Sequence, residues 1–526
     1  MMAGANSKSE DAMAMEPLLP LHLADEGDDH FATTPPGGAR YGDGPSDGGL
    51  PALRETYLKQ LGYTPLIFRN QVKRFGQFFA ALSPMRQRKR PAKTDQQGEE
   101  LEPDAFSYHQ SIIPSKGSIR GSVFNLAGAT LGAGALSLPY AVAVSGIGFA
   151  VAQLLLAAFL TVYTIRLLIR AEDITKLKSY EDLALYCFGK KVGGDAAYSV
   201  AIFVELNILI FCFGIAVAYL VTLGDIVTPL SELVFGAQSV LAQRWVLMSI
   251  ACVTIMLPLS LLKDISSLQF SSILGVLSII FLVFAVCLRS IMLASASGLP
   301  EGIDWTINLR RGPDFMLSVP IVMFAFTCQV NVFSIYTELQ RPCIRRMNKV
   351  VDRATLISVA IYLVIGVVAY LAFGPSLVDP KNKGNILLSF PLDDTWIAIS
   401  RAAITFTVSV AFPLNIFPCR FTIDMMFFAY SQDSLARHVA VTAGLVFLAL
   451  LLAIFCPSIN VVFGIIGGTC STVVCFCLPA AFILKLEDGP LLGPKKLGSL
   501  VLFVGAIIIG VVGTGVTIWS NFILQQ

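Results

Sequence analysis

Eleven stretches of this 526-residue chain run for roughly 18 to 25 residues with almost no charge, near the length at which a helix crosses about 30 Å of hydrocarbon. A backbone facing lipid has no water to bond, and a helix satisfies its N–H and C=O groups within one segment. The expected fold is therefore an all-α integral membrane protein. Its spans fall at 119–144, 148–169, 197–223, 245–262, 269–288, 315–336, 354–374, 396–418, 438–456, 459–484 and 498–520. Two divisions lie inside uninterrupted apolar stretches, Gly121–Ile165 and Val439–Leu484, where Ser145-Gly146-Ile147-Gly148 and Pro457-Ser458 supply the turns. With 55 % hydrophobic and 14 % charged residues, the chain has too much apolar surface for water-soluble domains.

Lysine and arginine near span ends are retained on the cytoplasmic side. With the amino terminus inside, seventeen bases fall in inner loops, among them Arg166, Arg170, Lys176, Lys178, Arg345 and Lys485. Six fall in outer loops: Arg244, Arg289, Arg310, Arg311, Lys381 and Lys383. The amino terminus is thus expected in the cytoplasm and the carboxyl terminus outside. The plasma membrane is the default address, with a vacuolar or lysosomal membrane as the alternative. The bases are spread over short loops, so nothing points to a nucleic-acid partner. The cysteines lie mostly within spans and show neither zinc spacing nor a disulfide framework. The first hundred residues lack the apolar core of a cleavable signal, leaving the first span to direct insertion.

Residues 1–117 are expected to form a largely disordered cytoplasmic tail ahead of a membrane domain at 118–526. Residues 1–52 carry nine acids against two bases, with abundant Gly and Pro. From Leu53 to Lys93 ten bases and one acid are interleaved with Tyr57, Tyr63, Phe68, Phe75, Phe78 and Phe79. A solvated tail and a lipid-hugging stretch with regulatory contacts both fit that pattern.

A polar ligand crossing a membrane needs exposed backbone at mid-depth, and a broken helix supplies it. The first span reads Asn125-Leu-Ala-Gly128-Ala129-Thr130-Leu-Gly132-Ala133-Gly134, with Ser137 and Pro139 beyond. Its glycines lower helix propensity and its proline withdraws a donor. Gly128 and Gly132 also form a small-xxx-small pair, so close helix packing stands beside ligand binding as a reading. The sixth span places Phe326, Thr327, Cys328, Gln329 and Asn331 in the corresponding part of the other half. Buried amides of this kind need partners, either a cavity or another helix. Glu205 lies inside the third span, where an acid costs roughly 3 kcal/mol to insert. It serves either ion coupling or helix pairing. Thr405, Thr407 and Ser409 offer hydroxyls on the eighth span, whose Arg401 is expected to snorkel outward. No hydrolase or phosphate-binding constellation occurs, so an enzyme is not expected.

Ser122-Val-Phe-Asn125-Leu, Gly132-Ala-Gly134-Ala-Leu and Tyr140-Ala141 together resemble the first-helix signature of the amino acid/auxin permease family. Phe324-Ala-Phe326, Cys328 and Ile335-Tyr-Thr-Glu338-Leu are similar to its sodium-coupled neutral amino acid transporter branch. Phe417-Pro418-Cys-Arg420 and Phe463-Gly464 with Gly467 resemble later family motifs, and the hydrophilic tail is similar to that of kinetoplastid amino acid permeases. The resemblance implies a LeuT-like fold of two inverted five-helix repeats plus one helix, with helices 1 and 6 broken and the substrate between them. Backbone from Gly128 to Gly134 would hold an amino acid's charged groups, and Phe326 and Thr327 to Asn331 would shape its side-chain pocket. Asn125, Glu205, Thr405 and Ser409 are the expected ion-coupling groups. The sodium-coupled branch carries an ion-binding Asn where this chain has Gly128, which leaves a proton, sodium or no ion as the coupled species. The expected function is secondary active amino acid transport by alternating access, without a cofactor. A membrane amino acid sensor is the alternative from another class.

Overall fold

The computed structural model describes residues 118–192, 195–236, 238–262, 269–308, 312–428 and 434–523. The tail to residue 117, Lys263, Arg310 and Arg311 lie outside the described residues.

The elements in order are α1 (Ile119–Thr130), α2 (Leu138–Ser145), α3 (Ile147–Thr175), α4 (Tyr180–Val192), α5 (Asp195–Phe235), α6 (Arg244–Ser260) and α7 (Gln269–Ser297). They continue with α8 (Ser318–Ala325), α9 (Val332–Glu338), α10 (Ile344–Phe373), α11 (Thr395–Phe428), α12 (Leu435–Phe455), α13 (Ile459–Leu486) and α14 (Pro494–Ile518).

Among the described residues nine helical segments are long and apolar enough to cross a membrane, against the eleven spans expected. The other two are present as helices that fall short for separate reasons. The first is cut into α1 and α2 by three non-helical residues, Leu131, Gly132 and Ser137, and a 3-10 turn. The fourth, α6, is a shorter apolar helix, Arg244–Ser260, and contains a π turn at Cys252–Met256 just before Pro258. Several helices outrun the expected spans: α5 runs 41 residues through Pro229, and α11 runs 34 through Pro413 and Pro418. Hydropathy marks the hydrocarbon portion of a helix and misses polar turns that continue beyond it.

The turn expected at Ser145–Gly148 is present. Gly146 adopts φ +85°, and a Cβ there would lie 2.8 Å from the Thr306 carbonyl. The close approach exists because the amides of Ile147, Gly148 and Phe149 donate to the carbonyls of Asp304, Trp305 and Thr306.

Packing places α10 against α1, α2, α3 and α7, while α11 lies against α5 and α7, and α8 against α2 and α13. One continuous buried core runs through α2, α5, α8, α10, α11 and α13. At the end away from most of the bases, the segment between α10 and α11 folds over the bundle in three short 3-10 turns. Asp225 of α5, buried, pairs with Arg244 at 3.0 Å and with Lys383 of this segment at 3.2 Å. Arg289 of α7 pairs with Asp394, which also accepts from the amides of Trp396 and Ile397 at the start of α11.

Arg401 corrects an expectation. It does not snorkel outward: it is 1 % exposed and donates to the carbonyls of Leu387, Phe390 and Pro391 at 2.7, 2.8 and 3.2 Å. The folded segment brings its own acceptors down to the guanidinium, so the side chain need not reach water. Replacing Arg401 by Leu strands three carbonyls and is expected to cost about 3 kcal/mol. The purified protein in detergent will melt several degrees lower, whereas replacing exposed Lys381 by Ala will leave the melting temperature unchanged.

Candidate functional site

Helix α1 stops at Thr130. Leu131 turns out with ψ 82°, and Gly132 is extended at φ −117°, ψ −157°. A 3-10 turn, Ala133–Leu136, leads to α2, where Pro139 stands in the first turn and needs no donor. The Gly132 amide bonds the Thr130 carbonyl at 2.9 Å, a local turn in place of the helical bond to Gly128. Among the described residues no acceptor is bonded to the amides of Ala133 and Gly134. Donors and acceptors are thus set free within seven residues.

The second break has no glycine. Helix α8 ends at Ala325, Phe326 and Cys328 leave helical geometry, and a 3-10 turn at Gln329–Asn331 precedes α9. Gln329 replaces the lost backbone partners: its Oε1 accepts from the Cys328 amide at 2.9 Å and its Nε2 donates to Thr164 Oγ1 of α3 at 3.2 Å. Thr327 Oγ1 donates to the Met323 carbonyl at 3.0 Å, and Thr130 Oγ1 to the Leu126 carbonyl at 2.9 Å. At each break a hydroxyl thus bonds the carbonyl one turn back.

The two breaks face each other. A Cβ on Gly134 would lie 3.0 Å from Ala325 Cα. Fully buried Tyr362 of α10 places its hydroxyl 2.6 Å from the Thr130 carbonyl and 3.0 Å from the Ala325 carbonyl. Its ring meets Phe326 edge-on at 5.3 Å.

The expected site residues divide. Of the three glycines only Gly132 faces open space, with nothing within 4 Å of an added Cβ. Gly128 packs on Val276 of α7, whose Cγ2 would be 2.5 Å from a Cβ, and Gly134 packs on Ala325. Ala133, Phe326, Cys328 and Gln329 are buried, and Ala129 and Thr327 are half-buried. Asn331 and Asn125 are exposed. Glu205 and Thr405 are half-buried, and buried Ser409 donates to the Thr405 carbonyl at 2.7 Å. Apart from that bond, among the described residues no hydrogen bond or ion pair joins Asn125, Glu205, Thr405 and Ser409 to one another or to the breaks. Sequence reading passed over Tyr362 and Thr164, although a hydroxyl in mid-span carries the same signal of cost as Gln329.

The halves of the broken helices differ. Helices α2 and α8 are packed, and stacking of Phe324 on Phe463 at 4.2 Å closes the space beside α8. Toward the basic end, α1 exposes Asn125, the 3-10 turn before α9 exposes Asn331, and α9 exposes Ser334 and Thr337. Polar groups at that depth belong against water rather than lipid. At the foot of α9 a cavity of about 490 Å³ is lined by Glu172, Asp173, Lys176, Tyr336 and Arg345, among others. The site as a whole offers backbone donors and acceptors side by side, which suits a small ligand carrying both charges.

The family model described as transmembrane amino acid transporter protein matches residues 115–523. The sodium-coupled neutral amino acid symporter 2 of Danio rerio is 28 % identical over 433 residues, covering 76 % of this chain and 82 % of its own length. Vacuolar amino acid transporter 5 of Schizosaccharomyces pombe is 28 % identical over 373 residues, covering 70 % of this chain and 84 % of its own. Among solved structures, a sodium-coupled sialic acid symporter aligns with 76 % of this chain and 88 % of its own at 16 % identity, with a TM-score of 0.45.

The environments of the glycines separate two effects. Gly134→Val overpacks the junction with Ala325 and is expected to destabilise by about 1–3 kcal/mol. Gly132→Val enters open space in a backbone conformation that valine accepts, and is expected to change stability by less than about 0.5 kcal/mol. Thermal melting of the two purified variants checks the difference.

Proposed function

The chain belongs to the transmembrane amino acid transporter family, and from that premise we propose that it is a secondary active amino acid carrier working by alternating access. The observation that carries the proposal is the open space beside Gly132, where two broken helices face each other with unpaired main-chain groups. The amides of Ala133 and Gly134 receive the substrate carboxylate, and the carbonyls of Gly128 and Ala129 receive its ammonium group. Phe326, Thr327, Cys328 and Asn331 shape the side-chain pocket, and Gln329 builds the break behind them. The sequence around the two breaks, 126–139 and 322–334, contains no acid, which favours neutral amino acids.

In this reading all eleven helices cross, with α1/α2 and α8/α9 as the broken first and sixth. Spans one to five and six to ten form two inverted repeats, α14 is appended, and α4 lies in the loop after the second span. The breaks falling in the first helix of each five support that division. The lysine- and arginine-rich end lies in the cytoplasm. Exposure of Asn125 and Asn331 together with the packed outer halves then corresponds to a conformation open inward. Asn125, Thr405 and Ser409 are the oxygens for a coupled sodium ion, and Glu205 the group for a coupled proton.

Purified protein in liposomes, given radiolabelled amino acids under imposed sodium or proton gradients, is expected to show saturable uptake of neutral members. The gradient that raises uptake identifies the driving ion. Gly132→Leu is expected to lower uptake at least tenfold while its melting temperature stays near that of the wild type. Specific binding with no flux for any amino acid would overturn the carrier and favour a sensor.

A further inference from the structure

Thr130 and Ala325 are the last residues of α1 and α8, so their carbonyls sit at the negative ends of two half-helices. Both carbonyls point at one atom, the Tyr362 hydroxyl oxygen, at 2.6 and 3.0 Å, in a place with no exposure. A phenol carries a single proton and can satisfy one carbonyl at a time, while the Thr130 carbonyl also accepts from the Gly132 amide at 2.9 Å. Two partial negative charges converging on one buried point are the surroundings of a monovalent cation, and here a neutral hydroxyl fills that point.

We propose that the Tyr362 hydroxyl holds the place of a bridging alkali cation between the two helix breaks, so that the junction keeps its geometry without an ion there. Tyr362 is then a positioning residue. It touches no substrate, and it fixes the separation of the two breaks between which Gly132 opens. Its ring is held independently by Phe326, so removing the hydroxyl alone leaves the aromatic packing in place. Only the transport arm of the test rests on the carrier reading; the thermal arm does not.

Tyr362→Phe leaves a gap the size of a hydroxyl between two carbonyls, of which that of Ala325 loses the phenol proton and that of Thr130 keeps the Gly132 amide. The proposal predicts that an alkali cation enters the gap and restores the junction. The test compares melting of wild type and Tyr362→Phe in sodium, potassium and choline chloride at equal ionic strength. The Phe variant is expected to melt lower than wild type in choline and to recover in at least one alkali salt, with a salt difference larger than that of wild type.

In liposomes the KM of the Phe variant for a neutral amino acid is expected to rise roughly tenfold or more in choline. It should recover in the alkali salt, with a smaller change in maximal rate. Folding of the Phe variant only when it is extracted in an alkali salt supports the proposal. A Phe variant that melts like wild type in choline, is depressed equally in all three salts, or fails to fold in every salt overturns it. If the melting pattern holds while wild type moves no amino acid, the carrier reading fails and the role of Tyr362 stands.

Discussion

A main chain within hydrocarbon must pair its own polar groups, and two helices of this protein stop before they have done so. The rest of the architecture follows from how that shortfall is met. Gly134 lets the turn after α1 press against Ala325, and the Tyr362 hydroxyl reaches the last carbonyl of both half-helices. Gln329 supplies its own Cys328 amide with an acceptor and braces the second break against Thr164. What remains unpaired, the amides of Ala133 and Gly134 beside the open face of Gly132, is what a polar ligand can use.

The ends of the bundle are built to different rules. Away from most of the bases, the 3-10 turns between α10 and α11 are drawn down by Arg401, by Lys383 on Asp225, and by the Arg289–Asp394 pair. A charge as deep as Asp225 is tolerable because two bases meet it, and removing either would leave a buried charge short of a partner. Toward the basic end the broken helices keep a polar face open, with Asn125 and Asn331 on separate helices looking into the same half of the molecule. In the proposed carrier, a packed end opposite a polar-faced one is the asymmetry that alternating access would exchange.

Much of this was legible in the sequence because lipid makes a strict reader of it. Apolar runs located the helices, and they erred mainly where polar turns prolong a helix past the hydrocarbon, as in α5 and α11. The first break was visible in its glycines and Pro139, the second in the expense of placing Gln329 and Asn331 within a span, of which the folded chain buries only Gln329. The division of labour among the glycines was not visible. The small-xxx-small spacing of Gly128 and Gly132 fits packing and opening alike, and the folded chain uses Gly128 for one and Gly132 for the other. Arg401 was misread because its acceptors come from a segment whose folding hydropathy does not record. Tyr362 was missed because its partner Thr130 lies 232 residues away, and no local pattern carries a contact over that separation.

Binding of an amino acid between the breaks at Gly132 is the step on which the proposed carrier depends. It is tested most directly by the rate at which a thiol reagent modifies Gly132→Cys in a background where exposed Cys343 is replaced by Ser. The account predicts that saturating amounts of a transported amino acid slow this modification sharply and that a non-transported one does not. An unchanged rate with every amino acid, in a variant that still transports, would place the substrate elsewhere and contradict it.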